Sequence, residues 1–204
     1  MPDYNISDQD GILIVSHVRK IVTEFLISGN KPRLSKEVEN ALSFEAGIFV
    51  TINSKNDLRG CIGFPIPRRI SDALPEAAIA AATEDPRFSP IDKSELGKIT
   101  FEVTILTPPK EIKVDDFSAL PQRIRVGRDG LIIKQGHKSG LLLPQVPLEY
   151  GWDEKEFLSH TCQKAGLPSD CWMKKQTKIY SFEGIIFREE EPNGNIVREK
   201  LQNS

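Results

Sequence analysis

The spacing of hydrophobic positions changes along the chain, and each change predicts a new element. Between Ser7 or Asp8 and about Ser28, Val15, Val18, Val22, Phe25 and Leu26 recur at three- and four-residue steps, which predicts a helix stopped by Gly29-Asn30. His17, Lys20 and Glu24 fall on its opposite side, so only one stripe of it is buried. The polar stretch from Lys31 to Asn40 predicts a surface loop. The period then drops to two: Ile48, Val50 and Ile52 alternate with Phe49, Thr51 and Asn53, as in a strand. Ser54-Lys55-Asn56-Asp57 is turn chemistry, and Leu58 to Phe64 reads as the returning strand, ended by Pro65 and Pro67.

A second helix is predicted from Ser71 or Asp72 to about Glu84, with Pro75 in its first turn. Its centre, Ala77 to Ala82, is small and apolar on every side, which implies close packing against a sheet. Thr100 to Leu106 alternates again as a strand, and Gly130-Ile133 with Gly140-Leu143 reads as a hairpin around the loop 135–139. Asp153 and Glu156 form a capping box for a third helix whose inner face carries Phe157, Leu158, Thr161, Cys162 and Ala165. A last strand runs from about Lys178 to Arg188, and the chain from Glu189 onward reads as polar and frayed. The expected class is α+β with a largely antiparallel sheet and two unequal lobes. One domain covers 8–190, with a smaller lobe at about 115–150 and a polar tail at 191–204.

Charge removes some partners from this picture. Twenty-seven Lys and Arg against 29 Asp and Glu leave a net charge of −2, which argues against a nucleic acid or an anionic membrane as ligand. The longest apolar run is far shorter than the ~20 residues that span a bilayer. Met1-Pro2-Asp3-Tyr4-Asn5 has no signal-peptide pattern, so a cytoplasmic protein is expected. Cys61, Cys162 and Cys171 form no CxxC pair and predict no disulfide framework.

The first candidate for chemistry is Leu58-Arg59-Gly60-Cys61-Ile62-Gly63. Two glycines inside a strand mark a bulge or a close backbone approach. The period of two sets Arg59 on the same face as Cys61, and a guanidinium beside a thiol favours the thiolate nucleophile. The alternative is a small buried hydrophobe in a glycine-rich strand. Asp85-Pro86-Arg87-Phe88 is the second candidate: Arg87 either holds a ligand anion or pairs with Asp85 at a helix terminus. Glu102 lies mid-strand opposite the apolar face. Glu149 lies in a proline- and aromatic-rich stretch in which Trp152 could anchor Pro144 and Pro147. His17 and His160 read as surface residues, His160 as a partner of Glu156, and His137 lies in a loop. No zinc spacing, P-loop or GxSxG occurs, so no metal site is expected.

These segments together resemble the AMMECR domain family. The resemblance rests on the hexapeptide 58–63, on Asp85-Pro86-Arg87-Phe88, on Phe101-Glu102-Val103-Thr104-Ile105-Leu106, and on Leu143-Pro144-Gln145-Val146 continuing into Glu149-Tyr150-Gly151-Trp152-Asp153. Cys162 and Lys164-Ala165-Gly166-Leu167-Pro168 match its prokaryotic branch, related to protein A of the AmmeMemoRadiSam system. The resemblance implies two unequal α+β lobes. It implies no reaction and no particular cofactor, and its company of Memo-like and radical-SAM proteins implies such partners by association only.

Two functions therefore stay open. One is a small-molecule-binding or enzymatic component using Cys61 as candidate nucleophile, Arg59, Gly60, Gly63 and Arg87 as ligand-binding residues, and Glu102 as an orienting carboxylate. The other is a non-catalytic interaction module in which the hexapeptide is structural.

Overall fold

In the computed structural model, which describes residues 6–55 and 57–199, the 3.6-residue stripe becomes α1 (Asp8–Ser28). Ser7 caps it reciprocally with Asp10, and Gly29 closes it in the left-handed region at φ 73°. The expected loop contains a six-residue helix, α2 (Lys36–Ala41), capped by Ser35. It buries none of its residues, so it has no apolar stripe from which periodicity could reveal it. Asn56 of the expected turn, the first five residues and 200–204 of the expected tail lie outside the described residues.

β1 (Glu45–Ser54) and β2 (Asp57–Arg69) form the predicted antiparallel hairpin, followed directly by α3 (Ile70–Thr83). β2 runs on through Pro65 and Pro67, which had been expected to end it. The reason is an irregularity: the pairing with β1 jumps from Phe64 to Arg68, so both prolines fall where β2 makes no ladder pair, and β2 itself lies at the end of the sheet order. α3 starts at Ile70, so Pro75 falls beyond the first turn, where it cannot donate to the Ser71 carbonyl. β3 (Ile99–Leu106) pairs antiparallel with β1 on the side away from β2, with Thr51 opposite Glu102.

The remaining elements are β4 (Lys110–Glu111), β5 (Asp129–Gln135), β6 (Lys138–Leu142), α4 (Val146–Tyr150), α5 (Glu154–Lys164), β7 (Lys178–Glu189) and β8 (Ile196–Arg198). All described pairings are antiparallel, and the class is α+β as expected. Contacts divide the described chain into two units, residues 6–106 with 185–199, and residues 107–184.

The first unit packs Ile14, Val15, Val18 and Val22 of α1 and the alanines of α3 against Ile48, Val50, Ile52, Phe101 and Val103. Within it Glu189, expected to open a frayed tail, is 3% exposed. Both its carboxylate oxygens accept from Arg19 at 2.5 Å, and it also accepts from the Phe101 N–H at 3.0 Å. β8 then pairs with the end of β7. A buried charge survives only when paired and hydrogen-bonded, and polarity alone did not reveal this partner.

In the second unit, α5 packs Phe157, Leu158 and Cys162 on Leu131 and Ile133 of β5. Cys162 and Cys171 are joined by a disulfide, which corrects the expectation from cysteine spacing. The inner face of α5 and a 3-10 turn at Cys171–Met173 bring their Cα atoms to 5.9 Å, within bonding range, and only the fold supplies that proximity. No helix among the described residues is long and apolar enough to cross a membrane.

Candidate functional site

The glycines of β2 are placed by packing. A Cβ on Gly60 would lie 2.1 Å from the carbonyl oxygen of Ala81, so the backbone of α3 rests directly on the strand. A Cβ on Gly63 would lie 2.2 Å from the Ile48 carbonyl oxygen. Arg59 turns to a carboxylate: its Nε and Nη2 donate to Glu95 at 3.0 and 3.1 Å, and its Nη1 donates to the Ser89 carbonyl at 2.7 Å. The bidentate pair and the carbonyl tie β2 to the segment that follows α3.

Between the glycines, both backbone groups of Cys61 point off the free edge of β2, and Asp85-Pro86-Arg87 takes the place of a neighbouring strand. The Cys61 N–H donates to Asp85 Oδ2 at 2.8 Å, and the Cys61 carbonyl accepts from Arg87 Nη2 at 3.5 Å. Asp85 also accepts from Arg87 Nε at 3.0 Å, from its Nη2 at 2.7 Å and from its backbone N–H at 3.1 Å. The Arg87 guanidinium, with the Cys61 and Arg87 N–H groups, holds the buried Asp85 carboxyl well below the usual carboxylate range. Arg87 therefore engages Asp85, the plainer of its two readings, while its side chain stays 54% exposed beside the Phe88 ring. The clasp also blunts an edge that would otherwise offer unpaired backbone groups to another chain.

The side chain of Cys61 is half-buried and accepts a hydrogen bond from Thr51 Oγ1 at 3.3 Å. Burial pushes its thiol up, against the opposing effects of Thr51 and Arg87, so at neutral pH it is a thiol rather than a thiolate. The ladder carries the row further: Thr51 faces Cys61 on one side and Glu102 on the other. Residues directly opposite in a ladder share a face, so Cys61, Thr51 and Glu102 stand in one row across three strands, opposite buried Val50 and Ile52. Glu102 is pushed up to about 7, first by burial and then by Glu199, with Arg188 opposing. Arg188 and Glu199 lie 3.9 Å apart. The row thus combines a protonated sulfur, a hydroxyl and a carboxyl able to gain or lose a proton near neutrality.

Arg59, Gly60, Gly63 and Arg87 meet at the strand around Cys61 and Glu102 lies two strands away on the same row, whereas the other candidates are dispersed. Glu149 is exposed in α4 and His137 is exposed in the β5–β6 loop. Trp152 stacks between Tyr150, at 4.9 Å, and His160, at 3.8 Å, so His160 supports a ring. His17 Nδ1 lies 2.8 Å from the Leu13 carbonyl oxygen. Among the described residues no group of three or more His, Cys, Asp and Glu side chains is arranged to hold a metal. Sequence reasoning missed Thr51 and Glu95. A threonine at the central position of the polar strand face was the available signal for the first, whereas nothing local marked the second as the partner of Arg59.

This antiparallel α+β chain belongs to the AMMECR1 family, whose family model matches residues 15–187. A protein of Thermococcus onnurineus is 47% identical over 97% of this chain and 99% of its own length. Protein MK0488 of Methanopyrus kandleri is 49% identical over 92% of each chain. The crystal structure titled uncharacterized protein PH0010 from Pyrococcus horikoshii superposes with a TM-score of 0.82 at 46% identity, covering 94% of this chain and 97% of that one.

Proposed function

We propose that the chain is a small-molecule-binding or enzymatic component whose working surface is the row Cys61–Thr51–Glu102. The observation that carries this reading is the placement of Glu102, with a carboxyl poised near pH 7, on the row that begins at the Cys61 thiol. Glu102 takes or returns a proton at a bound ligand. Cys61 contributes a polarizable thiol that becomes nucleophilic only when a base or a bound group stabilises its anion. Arg87, paired with Asp85, holds the edge of the strand, and Arg59, Gly60 and Gly63 hold its shape.

Thiol alkylation tests this. Iodoacetamide should modify Cys61 in the folded protein at pH 7.5, more slowly than a free cysteine because the thiol is raised. Glu102→Gln should speed the reaction, since the Glu102 charge is one cause of that elevation. A ligand of the row should protect Cys61. If modification occurs only on unfolding and ignores Glu102→Gln, the row is not a working surface.

A second reading is favoured by one observation, the engagement of Arg59 by Glu95 and of Arg87 by Asp85. Under it the hexapeptide is structural, and the protein is a non-catalytic module that docks Memo-like or radical-SAM partners. A pulldown with those proteins separates the two readings, because only the module requires a complex at micromolar concentration. Cytoplasmic residence belongs to the proposal as well. Intracellular disulfides are otherwise a feature of hyperthermophilic archaea, and the relatives named above are archaeal. A free-thiol count on protein captured from intact cells checks the redox state that the location implies.

A further inference from the structure

The second unit contains a cleft of about 210 Å³ whose chemistry is unlike that of the Cys61 row. Its apolar lining comes from half-buried Ile112, Val114 and Phe117, over buried Leu120 and Ile179. Three exposed lysines, Lys113, Lys175 and Lys178, line it. Of the six other lysines of this unit, three have internal engagements: Lys174 pairs with Asp170, Lys138 donates to the Gly166 carbonyl, and Lys134 lies over the Tyr180 ring. None of the ion pairs and side-chain hydrogen bonds among the described residues includes the side chain of Lys113, Lys175 or Lys178. Glu111 is the acid in the lining, so three positive charges face one negative charge in a chain whose net charge is −2.

We infer that this cleft binds a compact amphipathic anion, a carboxylate or phosphate head carried on an apolar body. The accessible parts of Ile112, Val114 and Phe117 favour an occupant with an apolar body over a bare inorganic ion, which would leave that surface facing water. The lysines exclude a neutral hydrocarbon, because three exposed ammonium groups in the lining reward an anionic head. The volume is below the roughly 300–1,000 Å³ of clefts that take drug-sized ligands, so the body is a single ring or a short chain. The inference is independent of the proposed function, since it uses residues of the second unit only.

Salicylate, a fluorescent single-ring carboxylate, is the probe. It should bind the intact protein saturably with one site, and binding should weaken as salt rises. The double variant Lys175→Ala/Lys178→Ala should weaken it at least tenfold with the near-ultraviolet circular dichroism unchanged, since both lysines are exposed. Phe117→Asp, which places a like charge in the lining, should abolish it. Octanoate and phenyl phosphate should each displace the probe, whereas octanol and inorganic phosphate should not. Displacement by octanol as effective as by octanoate would reduce the site to an apolar cleft, and displacement by inorganic phosphate alone would reduce it to a simple anion site. Either result, or probe binding unaltered in the double variant, overturns the inference.

Discussion

Replacing Asp85 by Asn keeps the side chain's shape and removes the charge on which Cys61 N–H, Arg87 N–H, Arg87 Nε and Arg87 Nη2 converge. A hydrogen bond to a charged group contributes about 1.5–3 kcal/mol, and removing one partner of a buried ion pair costs about 3–5 kcal/mol. Two features set the cost below the sum. The Arg87 side chain is 54% exposed and can rehydrate, and the Asn carbonyl oxygen still accepts from some of the donors. The expected loss is about 2–3 kcal/mol at pH 7, read from urea unfolding followed by circular dichroism. The pH dependence is a second, independent readout. The folded-state pKa of Asp85 is depressed, so its contribution is present above the unfolded value of about 3.9 and is lost as pH falls toward the folded value. At pH 3 the unfolded chain is already mostly protonated at this position, and the wild type's advantage over the variant should shrink by about 1.2 kcal/mol. A loss under about 0.5 kcal/mol at pH 7, or one of the same size at both pH values, would refute the clasp as a source of stability.

Three further outcomes follow from the same geometry. Gly60→Ala should destabilise by about 1–3 kcal/mol in urea titrations, because its Cβ would meet the Ala81 carbonyl oxygen and neither backbone can yield cheaply; an unchanged midpoint would contradict the close approach. Glu102→Gln should stabilise the protein by about 1–3 kcal/mol at pH 8 and leave thermal melting unchanged near pH 4. The sign follows from a folded-state pKa raised to about 7: stability falls as pH rises from the unfolded value of about 4.3 through 7, and Gln carries no such penalty. Reducing the Cys162–Cys171 disulfide should lower stability by about 2–3 kcal/mol, since it releases a loop of sequence separation nine. A urea midpoint insensitive to reductant would show that the bond adds nothing.

Elements with a strong internal period were readable before any coordinate. α1 with its Ser7 and Gly29 caps, the β1–β2 and β5–β6 hairpins, α3, β3 and α5 all announce themselves by spacing, because burial of one face repeats at the period of the backbone. What spacing could not show were partners distant in the chain. Arg59 reads as a companion of Cys61, yet its charge is satisfied by Glu95, 36 residues later. Glu189 reads as the start of a polar tail, yet Arg19 lies 170 residues before it and draws it into the core. Cys162 and Cys171 lie on elements whose contact only the packed second unit creates. At the candidate site, the alternation of Thr100 to Leu106 correctly set Glu102 opposite the apolar face. Nothing in that alternation revealed that the face is enclosed enough to shift its carboxyl, because desolvation depends on what surrounds the strand.

The carboxyl carbon of Glu102, followed by 13C NMR from pH 4 to pH 9 in the wild type and in Glu199→Gln, tests the proposed working surface most directly. A midpoint near 7 that falls when the Glu199 charge is removed is the predicted result. A midpoint at about 4 to 5, the range of an exposed glutamate, and indifferent to residue 199, would contradict it.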